Sequence, residues 1–135
     1  MKVLVDTSVW LAAFAKSTSK ASGKPIEKLH TLIDSEQMIY LSGIILFEVV
    51  RGFKHVKERQ QLVEQLSAFP MLDLERNDYL LAADLSAMCR NKGIITSTPD
   101  SLIAATAIRH DCHLFTMDKD FEQIAKAIPL KILGS

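Results

Sequence analysis

Short apolar runs, each long enough only for a β-strand, alternate along this chain with longer stretches of helical periodicity, and that alternation restricts the fold more than any other feature. Lys2-Val3-Leu4-Val5 opens the series, and residues 38–41, 71–74, 113–117 and 130–133 repeat the pattern. The first run is apolar without interruption and is stopped by Asp6-Thr7-Ser8, as expected of a strand buried on both faces. Helices are predicted over 9–15, 25–35, 43–52, 58–68, 77–91, 98–110 and 121–127. Pro25 suits a first helical turn, Ser42 an N-cap, and Gly93 a helix stop. Residues 16–24 (KSTSKASGK) are small and polar and predict a surface loop. Strands alternating with helices call for an α/β fold with a mainly parallel sheet of five strands, covered on both faces.

The chain's 135 residues suit one domain over 1–135, and 48% hydrophobic residues supply its core. The absence of any apolar run near the roughly 20 residues that span a bilayer predicts a cytoplasmic protein without membrane contact. Cys89 and Cys112 form no disulfide framework and are expected to be reduced. Sixteen basic and sixteen acidic residues give a net charge of zero, which argues against a non-specific nucleic-acid coat but leaves room for a local RNA contact.

In open α/β sheets, sites lie beyond the carboxyl ends of the strands, and that rule selects the acids. Asp6 follows the first strand and Asp118 the fourth; if those strands are neighbours, both carboxylates emerge at one edge. Each could instead be a helix cap. Glu48 sits within Ile44-Ile45-Leu46-Phe47-Glu48-Val49-Val50, a helix expected to be buried nearly all round. An unpaired buried carboxylate costs several kcal/mol, so Glu48 pairs with Arg51 one turn away or faces a polar cavity. Asp100 lies in the first turn of a helix capped by Thr98 and opened by Pro99, where it complements the helix dipole. The following Ser101-Leu102-Ile103-Ala104-Ala105-Thr106-Ala107 must pack closely on the sheet, which holds Asp100 at its edge. Carboxylates about 5 Å apart repel by roughly 3 kcal/mol per pair at an effective dielectric near 20. Such a group needs protons or cations, and hard oxygen ligands without His or Cys suit Mg²⁺ or Mn²⁺.

At Val5-Asp6-Thr7-Ser8, Glu48-Val49-Val50-Arg51-Gly52, Thr98-Pro99-Asp100-Ser101-Leu102-Ile103-Ala104-Ala105 and Thr116-Met117-Asp118-Lys119-Asp120-Phe121 the chain resembles PIN-domain ribonucleases, and among them the VapC-type toxins of toxin–antitoxin pairs. The likeness covers essentially the whole chain, although residues 16–24 are long and polar beside many relatives. It implies a three-layer α/β/α sandwich. It also implies that Asp6, Glu48, Asp100 and Asp118 are the catalytic, metal-binding acids, with Asp120 as an accessory acid and Thr116 and Thr7 as polar supports. The implied activity is endonucleolytic cleavage of structured RNA such as tRNA or rRNA. The implied partners are a cognate antitoxin and a second copy of the chain. A metal-activated water attacking phosphorus in line would leave a 5′-phosphate and a 3′-hydroxyl.

Arg51, Lys54, His55, Lys57 and Arg59 form a basic run that could hold RNA phosphates, Arg51 and Lys54 nearest the acids, or could be a solvated helix face. His110, Cys112 and His113 lack the second ligand cluster that a zinc site needs. Trp10 and Phe14, at i,i+4 spacing, read as core or a dimer face, and Asp84 as an exposed helix position. Three rivals stand beside the nuclease. A haloacid-dehalogenase-type phosphatase needs a second Asp where Ser8 stands. A receiver-like Mg-binding signalling module needs paired acids after the first strand. A catalytically inactive PIN-like RNA-binding scaffold would keep its function without Asp6.

Overall fold

A computed structural model describes residues 1–15 and 23–134. In chain order the elements are β1 (Lys2–Val5), α1 (Thr7–Phe14), α2 (Gly23–Asp34), β2 (Met38–Ser42), α3 (Gly43–Arg51), α4 (Val56–Leu66), β3 (Met71–Leu72), α5 (Arg76–Asn91), α6 (Thr98–Arg109), β4 (His113–Phe115) and α7 (Asp120–Ala127). The expected loop at 16–24 falls mostly outside the described residues; its last two, Gly23 and Lys24, already belong to α2, which begins before Pro25.

All strand pairs are parallel, in the order β3-β2-β1-β4. From β1 to β2 to β3 the chain moves one way across the sheet, then returns past β1 to place β4 on the other side. Right-handed crossovers in opposite senses put helices on both faces and make three layers. The sheet has four strands among the described residues, not five. The segment at 130–133 makes only a single parallel bridge, Leu114 to Ile132, with Leu114 N–H donating to the Lys131 carbonyl and Leu133 N–H to the Leu114 carbonyl. Pro129, which has no N–H, precedes it, and Gly134 at φ +84° turns the backbone out of strand geometry after it.

Val3, Leu4 and Val5 are fully buried, as their unbroken apolar run requires, and the buried apolar side chains form one contiguous cluster. Trp10 is in the core, stacked on Phe14 and tilted against Phe69, its Nε1 donating to the Val5 carbonyl. Ser42 caps α3 by accepting the Ile45 N–H. That helix departs from expectation: Ile45 and Val49 are buried, but Phe47 is 60% exposed, so α3 covers the sheet with one face and leaves another apolar face open. No helix among the described residues is long and apolar enough to cross a membrane.

α5 and α6 pack as an antiparallel pair held at one end by a buried charge. Asp78 is wholly buried in the first turn of α5; its Oδ2 accepts the Glu75 N–H, and Arg109 Nε, at the far end of α6, lies 2.7 Å from its Oδ1. The Arg109 contact is an ion pair without an aligned hydrogen bond to that oxygen. Removing one partner of a buried pair leaves an uncompensated charge, so Arg109→Met is expected to destabilise the fold by about 3 kcal/mol. Urea unfolding measures this, and a loss below about 1 kcal/mol would show that water reaches Asp78.

Candidate active site

The parallel register Val5–Phe115 brings the exits of β1 and β4 side by side, and Asp6 N–H extends the ladder by donating to the Phe115 carbonyl at 2.8 Å. Asp6 is the N-cap of α1 by backbone position, but its side chain makes no capping bond. Its Oδ2 instead accepts two hydroxyls, Thr116 Oγ1 at 2.7 Å and Ser8 Oγ at 2.9 Å. Asp6 is buried, with 4% of its surface exposed, and the two hydroxyls fix the orientation of its carboxylate.

Asp118 comes two residues later than direct succession to the strand: β4 ends at Phe115, and Thr116-Met117 carry the chain around. Thr116 Oγ1 accepts the Asp118 N–H, while Ser8 Oγ accepts the Met117 N–H. Ser8 therefore clasps the ends of both strands. The one mark of this role along the chain is the place of Ser8, two residues after Asp6 in the first turn of a helix. Asp118 Oδ1 accepts the Asp120 N–H and so also shapes the turn into α7.

Asp100 sits in the first turn of α6, whose N-cap is Ser97, not Thr98; Ser97 Oγ accepts the Asp100 N–H. Thr98 is instead the first helical residue. Glu48 does not use Arg51. Its Oε1 accepts Thr7 Oγ1 at 2.8 Å, and the Arg51 guanidinium lies 5.1 Å from the Phe47 ring centroid. Contact between α3 and α6 brings the helices bearing Glu48 and Asp100 together.

Carboxylate oxygens of Asp100, Asp118 and Asp120 lie within 4.8 Å of one another. Asp6 and Glu48 stand outside this tightest group, yet both act on it. Burial, then the charges of Asp118 and Asp6, and more weakly Glu48, push the Asp100 carboxyl up to about 6, against an opposing hydrogen bond from Ser97. The donor set is all oxygen, carries excess negative charge, and is open enough for a hard cation, so Mg²⁺ or Mn²⁺ fits it on chemical grounds.

Arg51 and Lys54 are exposed at and just beyond the end of α3. Arg59, from the same basic run, turns inward and donates to the Phe53 and Lys54 carbonyls. Cys112 is buried at the opposite strand end, its thiol pushed up by burial and donating to the His110 carbonyl. Asp84 is exposed on α5.

The PIN domain family model matches residues 3–127. The chain is 29% identical over 131 residues to VapC ribonuclease Mb1587 of Mycobacterium bovis and to Ribonuclease VapC11 of Mycobacterium tuberculosis, covering 96% of each chain in both comparisons. Its fold is similar to VapBC2 from Rickettsia felis, solved bound to a DNA fragment from its promoter, with a TM-score of 0.78 and 23% identity over 98% of this chain and 97% of that one.

Asp100 titrates at about 6 in the fold against an ordinary 3.8, so over that window the folded protein keeps a proton that the unfolded chain has lost. Its stability contribution is full below the lower value and disappears as pH rises through the upper one. Asp100→Asn should therefore stabilise the metal-free protein near pH 7, by about 1 kcal/mol once solvent screening of this half-buried group is allowed for. Divalent cation at tenfold over its Kd should stabilise the unsubstituted protein by about 1.4 kcal/mol. Urea unfolding with and without Mn²⁺ checks both; equal midpoints for the two proteins without metal would contradict the crowding of charge.

Proposed function

The chain belongs to the PIN-domain family, and on that premise we propose that it is a cytoplasmic, Mg²⁺- or Mn²⁺-dependent endoribonuclease, the toxin of a toxin–antitoxin pair. The observation that carries this reading is the convergence of Asp100, Asp118 and Asp120 within 4.8 Å, with Asp100 pushed up to about 6 by burial and then by the charges of Asp118 and Asp6. In this reading Asp6, Asp100 and Asp118 hold the cation, Asp120 completes the oxygen set, and Glu48 binds it or orients water. When bound, the cation supplies Lewis acidity, lowering the pKa of water and neutralising charge that builds on the phosphate.

The chain's own residues supply position. Thr116 and Ser8 fix Asp6 through one oxygen, Thr7 fixes Glu48, and Ser97 holds the Asp100 turn. Preorganised acids spare the reaction the cost of ordering them during turnover. Water attacks phosphorus in line with the departing 3′-oxygen, leaving a 5′-phosphate and a 3′-hydroxyl; the 2′-hydroxyl takes no part. Arg51 and Lys54, exposed beyond Glu48, hold flanking phosphates of a structured RNA, tRNA or rRNA. With no net charge to draw RNA in, such local contacts must provide the attraction, and it should weaken with salt.

The antitoxin's place is the open face of α3 and α4. A groove of about 590 Å³ there is lined by Leu46, Phe47, Val50 and Val63 between Arg51 and Arg59. Phe47, Val56 and Val63 are 60%, 58% and 48% exposed, an apolar strip of the kind that a partner covers. An amphipathic segment with acidic flanks fits it. A second exposed apolar set on α5, Tyr79, Leu80 and Met88, suits association with a second copy.

Purified protein incubated with total RNA should cut it with Mg²⁺ or Mn²⁺, stop with EDTA, and lose at least about a hundredfold in rate as Asp6→Asn or Asp118→Asn. Ends bearing 2′,3′-cyclic phosphate would refute the mechanism. RNA binding without cleavage, unaltered in Asp6→Asn, would leave the inactive scaffold. For the partner, Phe47→Asp should abolish co-purification of a small protein from the native host while the thermal midpoint stays within a few degrees; capture at the unsubstituted level would move the docking face elsewhere.

A further inference from the structure

The helix that carries Asp100 starts from an exposed connection. α5 ends at Asn91, Gly93 adopts φ +78°, and the last backbone bond from this loop back to α5 runs from the Ile94 N–H to the Cys89 carbonyl. Ile95 is 93% exposed and anchors nothing. Thr98 then occupies a helical position directly before Pro99, a conformation that the proline ring disfavours. Within a turn that Ser97 caps, the Thr98 backbone is thus held against the preference its proline neighbour imposes, and Asp100 depends on that turn for placement.

Thr96 supplies an anchor. Its Oγ1 donates to Ser86 Oγ on α5 at 3.2 Å and lies 2.7 Å from Ser101 Oγ on α6. With the Thr96 proton committed to Ser86, Ser101 is the donor in the shorter contact, which makes a directed chain Ser101→Thr96→Ser86. Ser101 is 8% exposed and adjoins Asp100. One hydroxyl therefore ties the loop, the first turn of α6 and the body of α5 together beside the acid cluster. Ser97 restrains the same turn from its open end, but it belongs to the loop itself, so it moves with whatever moves the loop.

We propose that Thr96 is a positioning residue: by bridging Ser86 and Ser101 it holds Asp100 in register with Asp118, and so sets affinity at the acid cluster. The inference rests on the nuclease reading of that cluster. Direct hydrogen-bond partners of a metal ligand commonly change affinity by about 10–100-fold when removed, and Thr96, which acts through Ser101, falls at the lower end of that range.

The test is a Mn²⁺ titration of the full chain followed by electron paramagnetic resonance, with RNA cleavage measured in parallel. Thr96→Val, which keeps the volume and removes the hydroxyl, should weaken Mn²⁺ about tenfold. Thr96→Ser, which restores the hydroxyl, should bind within about twofold of the unsubstituted protein, a rescue that a merely space-filling role would not produce. Ser86→Ala should weaken binding in the same direction, and adding it to Thr96→Val should change little more, because both break one chain. Mn²⁺ affinity unchanged in Thr96→Val, or lost equally in Thr96→Ser, overturns the inference while leaving the nuclease reading intact. An unsubstituted protein that binds no Mn²⁺, or binds it independently of Asp100→Asn, overturns both. If Thr96→Val fails to fold, Ser86→Ala and Thr96→Ser decide alone: loss in the first with retention in the second supports the role, and any other pattern overturns it.

Discussion

β1 has hydrogen-bonded neighbours on both edges and no exposed side chain after Lys2, and the rest of the molecule is arranged around that strand. Pairing with β4 continues past the strand into Asp6, whose own N–H bonds the Phe115 carbonyl. The first acid of the site is therefore part of the sheet and cannot shift without breaking its ladder. The same pairing delivers Thr116 to the Asp6 carboxylate and Asp118 one turn further on. A slip of one residue in this register would exchange the faces of every buried side chain in β1, so the hydrophobic core and the placement of the acids are secured by one set of interactions.

What the core secures, electrostatics opposes. Acids about 5 Å apart repel by roughly 3 kcal/mol at an effective dielectric near 20, a large share of the 5–15 kcal/mol by which domains are typically stable. The structure moderates this locally. Hydroxyls of Ser8, Thr116, Thr7 and Ser97 serve the acids in place of lysines or arginines, so the negative charge is oriented without being neutralised. The one large response is at Asp100, pushed up to about 6, where burial and the other carboxylates act together. The buried charged pair, Asp78 with Arg109, lies at the end of α6 far from Asp100. It fastens the scaffold without reducing the charge of the site.

The zero net charge takes on meaning only at this level. Acids concentrate at the strand exits, while Arg51 and Lys54 are exposed beyond α3 and Arg59 turns inward to bond backbone carbonyls. The open apolar face of α3 and α4 adjoins Arg51 and Arg59, so positive charge borders the exposed apolar surface.

Much of this could be read along the chain. The unbroken apolar run of β1, the strand–helix alternation, the Ser42 cap and the apolar-to-polar switch at Asp6 all follow from local chemistry, because burial on both faces and helix initiation leave marks within a few residues. Local chemistry misled where two neighbours compete. Ser97 caps α6 in place of Thr98, since Thr98 is drawn into the helix itself. The segment at 130–133 has a strand's composition but makes one bridge, because Pro129 and Gly134 bound it. The apolar face of α3 around Phe47 looked like core and is exposed.

The amino-acid sequence alone determined that a parallel α/β sheet would form and that several acids would stand at the ends of its strands, since periodicity and strand termination are properties of adjacent residues. Tertiary structure alone decided that Asp120 joins Asp100 and Asp118 in the tightest group, that Glu48 leans on Thr7 and not on Arg51, and that Ser8 and Thr96 hold distant segments together. The physical reason is range. Hydrogen bonds and Coulomb repulsion act over a few ångströms of space, and side chains up to 110 positions apart, such as Thr116 and Asp6, share that space only after the sheet has set their strands side by side.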